Sequence, residues 1–460
     1  MKLAISVSLS IALVFTSVSN AEQAASAPLT IEQAVARAGR FPAIQASEEQ
    51  VNAAAAGIRL ARTNYLPSVN AVAQLNRATR NNVFGLLLPQ STIPNISGPV
   101  LGTNDGTSVW GSAAGILVSW EPFDFGRRGA LVRSAEATRR RAQLSAERAR
   151  FETITATAAA FLTVIASEQT VQAAQAAVDR AQILVRSVRA LVNAKLRAGA
   201  DLSRADTELD AAQTQLLQAQ QTAGVARASL AEFVGADARN AAIAADRLLH
   251  ALPETSNTQA DLSNNPTAKE QAGVIDESKS RLAALERTYR PTFELQAAAY
   301  GRGSGALTNG STLGGWNGLA PNYFNAGVGF TVSFPLLSLP SLRAQEAQEA
   351  AVGRAAAATY QKTMADIERQ SIAAQVTLQQ ARLIAAQTPK EVQDARAGFT
   401  QVNAQYHAGL TGIVAVAEAQ RLLAQAEIDD SLAKLAVWRA WLQVQIANGD
   451  ISPFVKEANR

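Results

Sequence analysis

The chain has 460 residues, with 42 Lys and Arg against 38 Asp and Glu, a net charge of only +4. That balance does not point to nucleic acid, and the basic residues are spread along helical patterns. With no cysteine and only two histidines, His250 and His407, disulfides, thiolate metal sites and catalytic thiols are excluded, and little is left for a histidine-based metal site or triad. Aromatics are scarce at 5% and alanine is abundant, which favours long, closely packed helices over a mixed core.

The N-terminus reads as a secretory signal. Lys2 is the charged start, 5–18 is an apolar run broken by serines, and Ser19-Asn20-Ala21 is a small-x-small cleavage site. The mature chain is expected to begin at Glu22. No other run of 18 apolar residues occurs, so a mature chain seated in a membrane would use strands.

From Leu29 to Ala38 the pattern predicts a helix with Thr30 as N-cap and Gln33 completing a capping box. Gly39 and Phe41-Pro42 break it. A second helix covers 43–63 and ends at Tyr65-Leu66-Pro67. Val69, Ala71, Ala73 and Leu75 then alternate with Asn70, Val72, Gln74 and Asn76, a strand. Residues 80–108 form a loop whose Phe84-to-Leu88 run is expected to fold over an apolar neighbour. A strand follows from Val109 to Trp120, with Trp110, Ala114, Ile116, Val118 and Trp120 on one face and Ser112 as the polar exception.

After Glu121-Pro122-Phe123-Asp124-Phe125-Gly126-Arg127-Arg128, the span 127–198 reads as one helix, about 108 Å long at 1.5 Å per residue. A heptad rail of Ala135, Ala142, Ala149, Ala156, Thr163, Thr170, Ala177, Leu184, Leu191 and Ala198 suits close helix packing. Arg139-Arg140-Arg141 reads as a solvated face or a membrane-proximal anchor. Gly199 is placed at the C′ position of this helix, and Asp201 or Ser203 as the cap of a return helix over 202–235. Residues 236–264 lose periodicity and read as a connector.

The pattern then repeats. Asn265-Pro266 echoes Phe41-Pro42, and Tyr289-Arg290-Pro291 echoes Tyr65-Leu66-Pro67 at the same interval. A strand with Phe293, Leu295, Ala297 and Ala299 on one face is followed by a loop at 301–321. The clearest strand is Tyr323 to Phe334. Phe324, Ala326, Val328, Phe330, Val332 and Phe334 alternate with Asn325, Gly327, Gly329, Thr331 and Ser333. Its terminal aromatics, like Trp110 and Trp120, lie ten residues apart. That spacing matches the apolar band of a membrane barrel, about 25 Å tall. A long helix over about 340–408 contains Pro389, expected to kink it. Its rail is Ala350, Ala357, Met364, Ser371, Leu378, Ala385, Val392, Phe399 and Tyr406. Tyr406-His407-Ala408-Gly409 is matched to Leu196-Arg197-Ala198-Gly199. The return helix, about 413–447, is apolar on two flanks, as in a closed ring of helices.

The fold expected is mainly α with a membrane β-barrel, a tandem duplication giving four strands and long antiparallel helices per protomer. In order, the parts are a signal (1–21), short helices (22–64), a β-hairpin (65–122) and a helical hairpin (123–235). After the connector come short helices (265–290), a β-hairpin (291–335), a helical hairpin (336–449) and a tail (450–460). Four strands cannot close a membrane barrel, so copies must pair. No HExxH, Walker loop or GxSxG occurs, and Gly301-Arg302-Gly303-Ser304-Gly305 does not open a helix as a nucleotide loop would, so an enzyme is not expected.

The order of Leu29-to-Ala38, Tyr65-Leu66-Pro67-Ser68, Trp120-to-Arg128, the Phe334-Pro335 strand exit and the two Ala-Gly turns resembles the TolC-like outer-membrane efflux proteins. The resemblance covers nearly all of the mature chain. It implies a homotrimer with a twelve-stranded β-barrel above a twelve-helix periplasmic α-barrel, in the outer membrane of a Gram-negative cell. It implies an exit duct without cofactor or metal, docked to a periplasmic adaptor and an inner-membrane RND or ABC pump. The tips at Gly199, Ala200, Leu202, Gly409, Leu410 and Ile413 would meet the adaptor. Tyr406, Glu418 and Asp206 are the implied gate residues, while Ala415 and Thr411 depart from the family's gate pattern. Trp110, Trp120, Phe324 and Phe334 would lie at the membrane boundary. The competing reading is a soluble periplasmic coiled-coil scaffold.

Overall fold

The structure, a computed structural model, describes residues 28–79, 107–254, 261–307 and 311–460. The signal segment and the Phe84-to-Leu88 run lie outside these residues. The elements in order are α1 (Ile31–Ala38), α2 (Pro42–Thr63), β1 (Ser68–Thr79), β2 (Ser108–Trp120), α3 (Arg127–Asn193), α4 (Gly199–Val234) and α5 (Asp246–His250). They continue with α6 (Pro266–Glu286), β3 (Thr292–Ser304), β4 (Tyr323–Ser333), α7 (Leu339–His407), α8 (Ile413–Asn448) and α9 (Ser452–Ala458).

The four strands form one antiparallel sheet in sequence order. Among the described residues neither β1 nor β4 has a partner on its outer edge. The register makes the apolar face continuous. Val69, Val118, Ala297 and Val328 form one row, and Ala71, Ile116, Ala299 and Ala326 the next. This face is open to the surroundings: Val328 is 78% exposed and Phe324 is 77% exposed. The opposite face carries Ser119, Glu294, Gln296, Asn325 and Thr331. There Ser119 donates to Glu294, and Gln296 Nε2 donates to Glu294 Oε1 at 3.0 Å. A sheet with one apolar and one polar wall follows from the period-two pattern.

At one end of the sheet Trp120 is exposed and donates from Nε1 to the Tyr65 carbonyl at 3.2 Å. Phe334, just past β4, is exposed. At the other end Trp110 is half-buried, with the Arg77 guanidinium 5.2 Å from its ring. Ser112, the polar residue on the apolar face, is buried because the β3–β4 loop folds over it. A Cβ on its neighbour Gly303 would meet Ser112 Oγ at 2.6 Å and the Ala320 carbonyl at 2.2 Å. The sequence placed 301–304 in the loop. They belong to β3, and the glycines there admit the returning chain.

The strand exit is a built joint. Asp124 Oδ2 accepts from Arg128 N at 2.6 Å and Arg128 Nε at 2.8 Å, while Oδ1 accepts from Gly126 N at 3.1 Å. Arg128 also lies 4.8 Å from the Tyr65 ring centroid and donates to the Asn64 carbonyl. Burial works to raise the Asp124 carboxyl, but these hydrogen bonds and the Arg128 charge outweigh it and hold it below the usual aspartate value. Phe123, Phe125, Phe293 and Phe330 cluster beside the joint, with centroids 4.6–6.2 Å apart.

α3 and α7 run the full length of the helical part, about 100 Å each at 1.5 Å per residue. The return helices are shorter, and short helices continue them. Phe41 at the start of α2 stacks on Phe233 near the end of α4, with centroids 5.3 Å apart. Asn265 joins α6 to α8. Its Nδ2 donates to the Ile446 and Ala447 carbonyls at 3.1 Å, and its Oδ1 caps Thr267 N at 2.9 Å. One buried side chain thus satisfies the end of one helix and the start of the next. In the lower half α4 packs on α3, α3 on α8 and α8 on α7. Both apolar flanks of α8 are covered, with Val416, Leu423 and Val437 buried on one and Ala417, Leu435 and Leu442 on the other. Every member of the α7 rail is buried or half-buried. On α3, Ala177 and Leu184 are buried but Ala156 and Thr163 are exposed. Pro389 lies within an unbroken α7.

The core lies midway along the helices. Phe161, Leu162, Val164 and Ile165 of α3 meet Trp438, Trp441 and Leu442 of α8, Leu230 of α4 and Ile31 of α1. An 18-residue window of α3 has mean hydropathy 1.3, enough by composition for a membrane span, and half of it is buried inside this fold. Two stretches without a sequence period also contribute to this core. In the stretch expected as a connector, Ile243 bridges to Leu29, and Leu248 of α5 is buried. The tail at 450–460 is helical, and Phe454 packs between Trp438 and Trp441 at centroid distances of 6.0 and 5.6 Å. Isolated apolar residues without periodicity carry both contacts, so the pattern did not reveal them. Arg141, in the triple-arginine run, pairs with Glu277 of α6 at 3.0 Å and ties α3 to α6 rather than serving only as a solvated face. The capping box predicted at Thr30 is present.

Candidate entrance at the helix tips

The α3–α4 turn and the α7–α8 turn are built alike. α3 ends at Asn193, and Lys195 takes the left-handed conformation at φ 62°. Leu196 N donates to the Leu191 carbonyl and Lys195 N to Val192, both at 2.9 Å. At the other tip Gly409 has φ 79°, Leu410 N donates to Gln405 at 2.9 Å and Gly409 N to Tyr406 at 3.0 Å. These are paired Schellman closures. Lys195 therefore corresponds to Gly409, and Leu196 to Leu410. Gly235 and Gly449, both at positive φ where the return helices end, are separated by the same interval. The expected match of Gly199 with Gly409 is corrected. Gly199 opens α4, and Asp201 and Ser203 lie inside that helix rather than capping it.

Tyr406 is the centre of the tip and is fully buried. Leu184, Val185 and Val188 of α3, Ala205 of α4, and Ile413 and Val416 of α8 pack around it. Its hydroxyl donates to Asp201 Oδ2 at 3.3 Å. The Arg197 guanidinium lies 4.3 Å from its ring centroid and donates to its backbone carbonyl. Both partners come from the first hairpin, so the second hairpin is clasped to it through one side chain. Burial pushes the Tyr406 hydroxyl above the usual tyrosine value, and the Asp201 charge adds to this while Arg197 opposes it. The phenol stays neutral and able to donate.

The other implied gate residues sit apart from this clasp. Asp206 pairs with Arg189 at 3.5 Å within the first hairpin and does not reach Tyr406. Glu418 pairs with Arg421 at 2.6 Å on the exposed side of α8. The Arg421 hydrogen bond holds the Glu418 carboxyl below the usual glutamate value. Higher up, Glu427 of α8 meets Arg180 of α3 at 2.9 Å and Arg396 of α7 at 3.3 Å, a second tie between the hairpins.

Of the implied docking residues, Gly199, Ala200, Gly409 and Leu410 are exposed. Ile413 is 4% exposed and Leu202 half-buried, so both serve the contact between hairpins rather than an outward surface. Leu196, omitted from the expected set, is 70% exposed at the position equivalent to Leu410. Counting back from Gly235 and Gly449 would have found it. Arg197 and Asp201 were also missed as partners of Tyr406, for which the sequence holds no local signal.

Residues 31–236 match the family described as outer membrane efflux protein. No curated protein matches the chain. Among solved structures, the Campylobacter jejuni CmeC outer membrane channel aligns with TM-score 0.72 at 15% identity, over 94% of this chain and 89% of that one. The outer membrane protein VceC of Vibrio cholerae aligns with TM-score 0.69 at 15% identity, over 91% and 96%. The open state of the Neisseria gonorrhoeae MtrE outer membrane channel aligns with TM-score 0.67 at 16% identity, over 91% and 89%. The likeness to these structures covers both repeats of the duplicated fold. Over residues 31–236 the chain is similar to the outer membrane efflux protein family, and it has the fold of these outer membrane channels.

Proposed function

We propose that the protein is the outer-membrane exit duct of a tripartite efflux or secretion system, conducting substrates passively from a periplasmic adaptor and inner-membrane pump to the outside. The observation that carries this reading is the sheet. Among the described residues it has one continuous exposed apolar wall, one polar wall and two unpaired edges, at one end of helices about 100 Å long. An open edge cannot face lipid, so the edges pair with those of further copies. Three copies give twelve strands and a polar lumen wide enough for water. The free flanks of the helical array carry exposed Leu217 and Val225 on α4 and Ile372, Val376 and Leu383 on α7, apolar surface suited to neighbouring copies. Tyr406, Arg197 and Asp201 act as the closing clasp, and Leu196 and Leu410 as the surface offered to the adaptor.

The soluble-scaffold reading leaves the apolar wall in water and is not favoured. Cell fractionation tests the proposal. The protein should sediment with outer membrane, resist salt extraction and dissolve only in detergent. Recovery from the soluble periplasm would end the channel reading.

A further inference from the structure

The described residues of the β3–β4 loop, 305–307 and 311–322, form an ordered strap. Gly305 N donates to the Trp110 carbonyl at 2.8 Å, Leu313 N to Gly305 at 2.9 Å and Asn322 N to Arg302 at 2.9 Å. Asn317 Nδ2 closes its turn on the Leu313 and Gly314 carbonyls at 3.1 and 3.0 Å. Gly314, Gly315 and Gly318 supply φ of 67°, 54° and 97°. The strap lies on a defined side of the sheet. Gly301 and Gly303 share a face with Leu295, Ala297 and Ala299, and a Cβ on them would meet Pro321 at 3.0 Å and the Ala320 carbonyl at 2.2 Å. The chain therefore returns over the apolar wall and not over the polar one. A Cβ on Gly318 would meet the Trp110 carbonyl at 2.2 Å, which sets the strap at the level of Trp110. Trp316 at its turn is 78% exposed, and Leu313, three residues earlier, is 47% exposed.

A tryptophan held in water by so constrained a turn gains nothing from packing. At the edge of an apolar wall it gains from an interface where the ring is buried and the N–H stays wet. We propose that the strap is a membrane-surface anchor, with Trp316 and Leu313 inserted at the lipid headgroup boundary on the outside of the barrel beside Trp110. The proposal rests on the outer-membrane reading above, because the anchor continues the lipid-facing wall.

The test uses full-length protein and a Trp316→Phe variant, each reconstituted in phosphatidylcholine vesicles with plain or brominated acyl chains. The emission lost in the variant is the Trp316 signal. It should be quenched by lipid brominated close to the headgroup and largely spared by aqueous iodide. Quenching by iodide and not by lipid would place Trp316 in water, and quenching by neither would place it against protein, a second copy included. Either result overturns the anchor. Lipid quenching that persists in the variant reports Trp110 and Trp120 and keeps the barrel reading intact. Its absence from both proteins would contradict the membrane reading itself.

Discussion

Replacing Tyr406 by Phe removes one atom from the tip and keeps the ring. The phenol is fully buried and its hydroxyl donates to Asp201 across the two hairpins at 3.3 Å. A hydrogen bond to a charged acceptor contributes about 1.5–3 kcal/mol, and the length of this one places it at the lower end. The Arg197 guanidinium still rests 4.3 Å from the ring centroid, and the aliphatic packing is unchanged. About 1.4 kcal/mol is a tenfold change in an equilibrium, so the variant should shift each tip roughly tenfold toward the unclasped form. Single-channel recording in planar bilayers reads this as a higher open probability. Tyr406→Ala also removes the ring, at about 3–5 kcal/mol, and should open the tip further. If Tyr406→Phe gates like the native protein and only Tyr406→Ala opens, packing rather than the Asp201 bond closes the tip, and the clasp is refuted.

Glu277 receives Thr138 Oγ1 at 2.8 Å, Arg141 at 3.0 Å and Arg281 at 2.5 Å. Burial works to raise its carboxyl, but these donors and charges outweigh it and depress the pKa below 4.5. Its stabilisation is therefore complete above the ordinary glutamate value and is lost as pH falls through the depressed one. Native protein should lose thermal stability in that acid range, and Glu277→Gln should flatten the loss. Asn265→Ala should destabilise the α6–α8 joint by about 1–2 kcal/mol, read as an earlier guanidinium midpoint, with little effect on conductance. Leu196→Glu combined with Leu410→Glu should abolish crosslinking to a periplasmic partner while leaving conductance intact. A double variant that still crosslinks would remove these leucines from the docking surface.

Local chemistry was legible in the sequence wherever a period or a cap carried it. The Thr30 and Gln33 capping box, the alternation of β4 and the two-flanked pattern of α8 all appear in the structure. The tip register was misread because an Ala-Gly pair was matched by composition. The defining feature is a left-handed residue after the helix, and in the first repeat that residue is Lys195, where glycine is usual. The Tyr406–Asp201 bond joins residues 205 positions apart and is a product of packing alone. Ser112 looked like a flaw in an apolar face until the strap from 317–322 covered it. Phe454 and Leu248 sit in stretches too short to show a period, yet both are almost completely buried in the central core.

The central claim is that this chain, with copies of itself, forms a water-filled passage through a membrane. Detergent-extracted protein added to a planar lipid bilayer tests it most directly. Discrete ion-conductance steps are expected, rare and small in the native protein and more frequent when Tyr406 is replaced. A bilayer that remains insulating with the native, Tyr406→Phe and Tyr406→Ala proteins alike would contradict it.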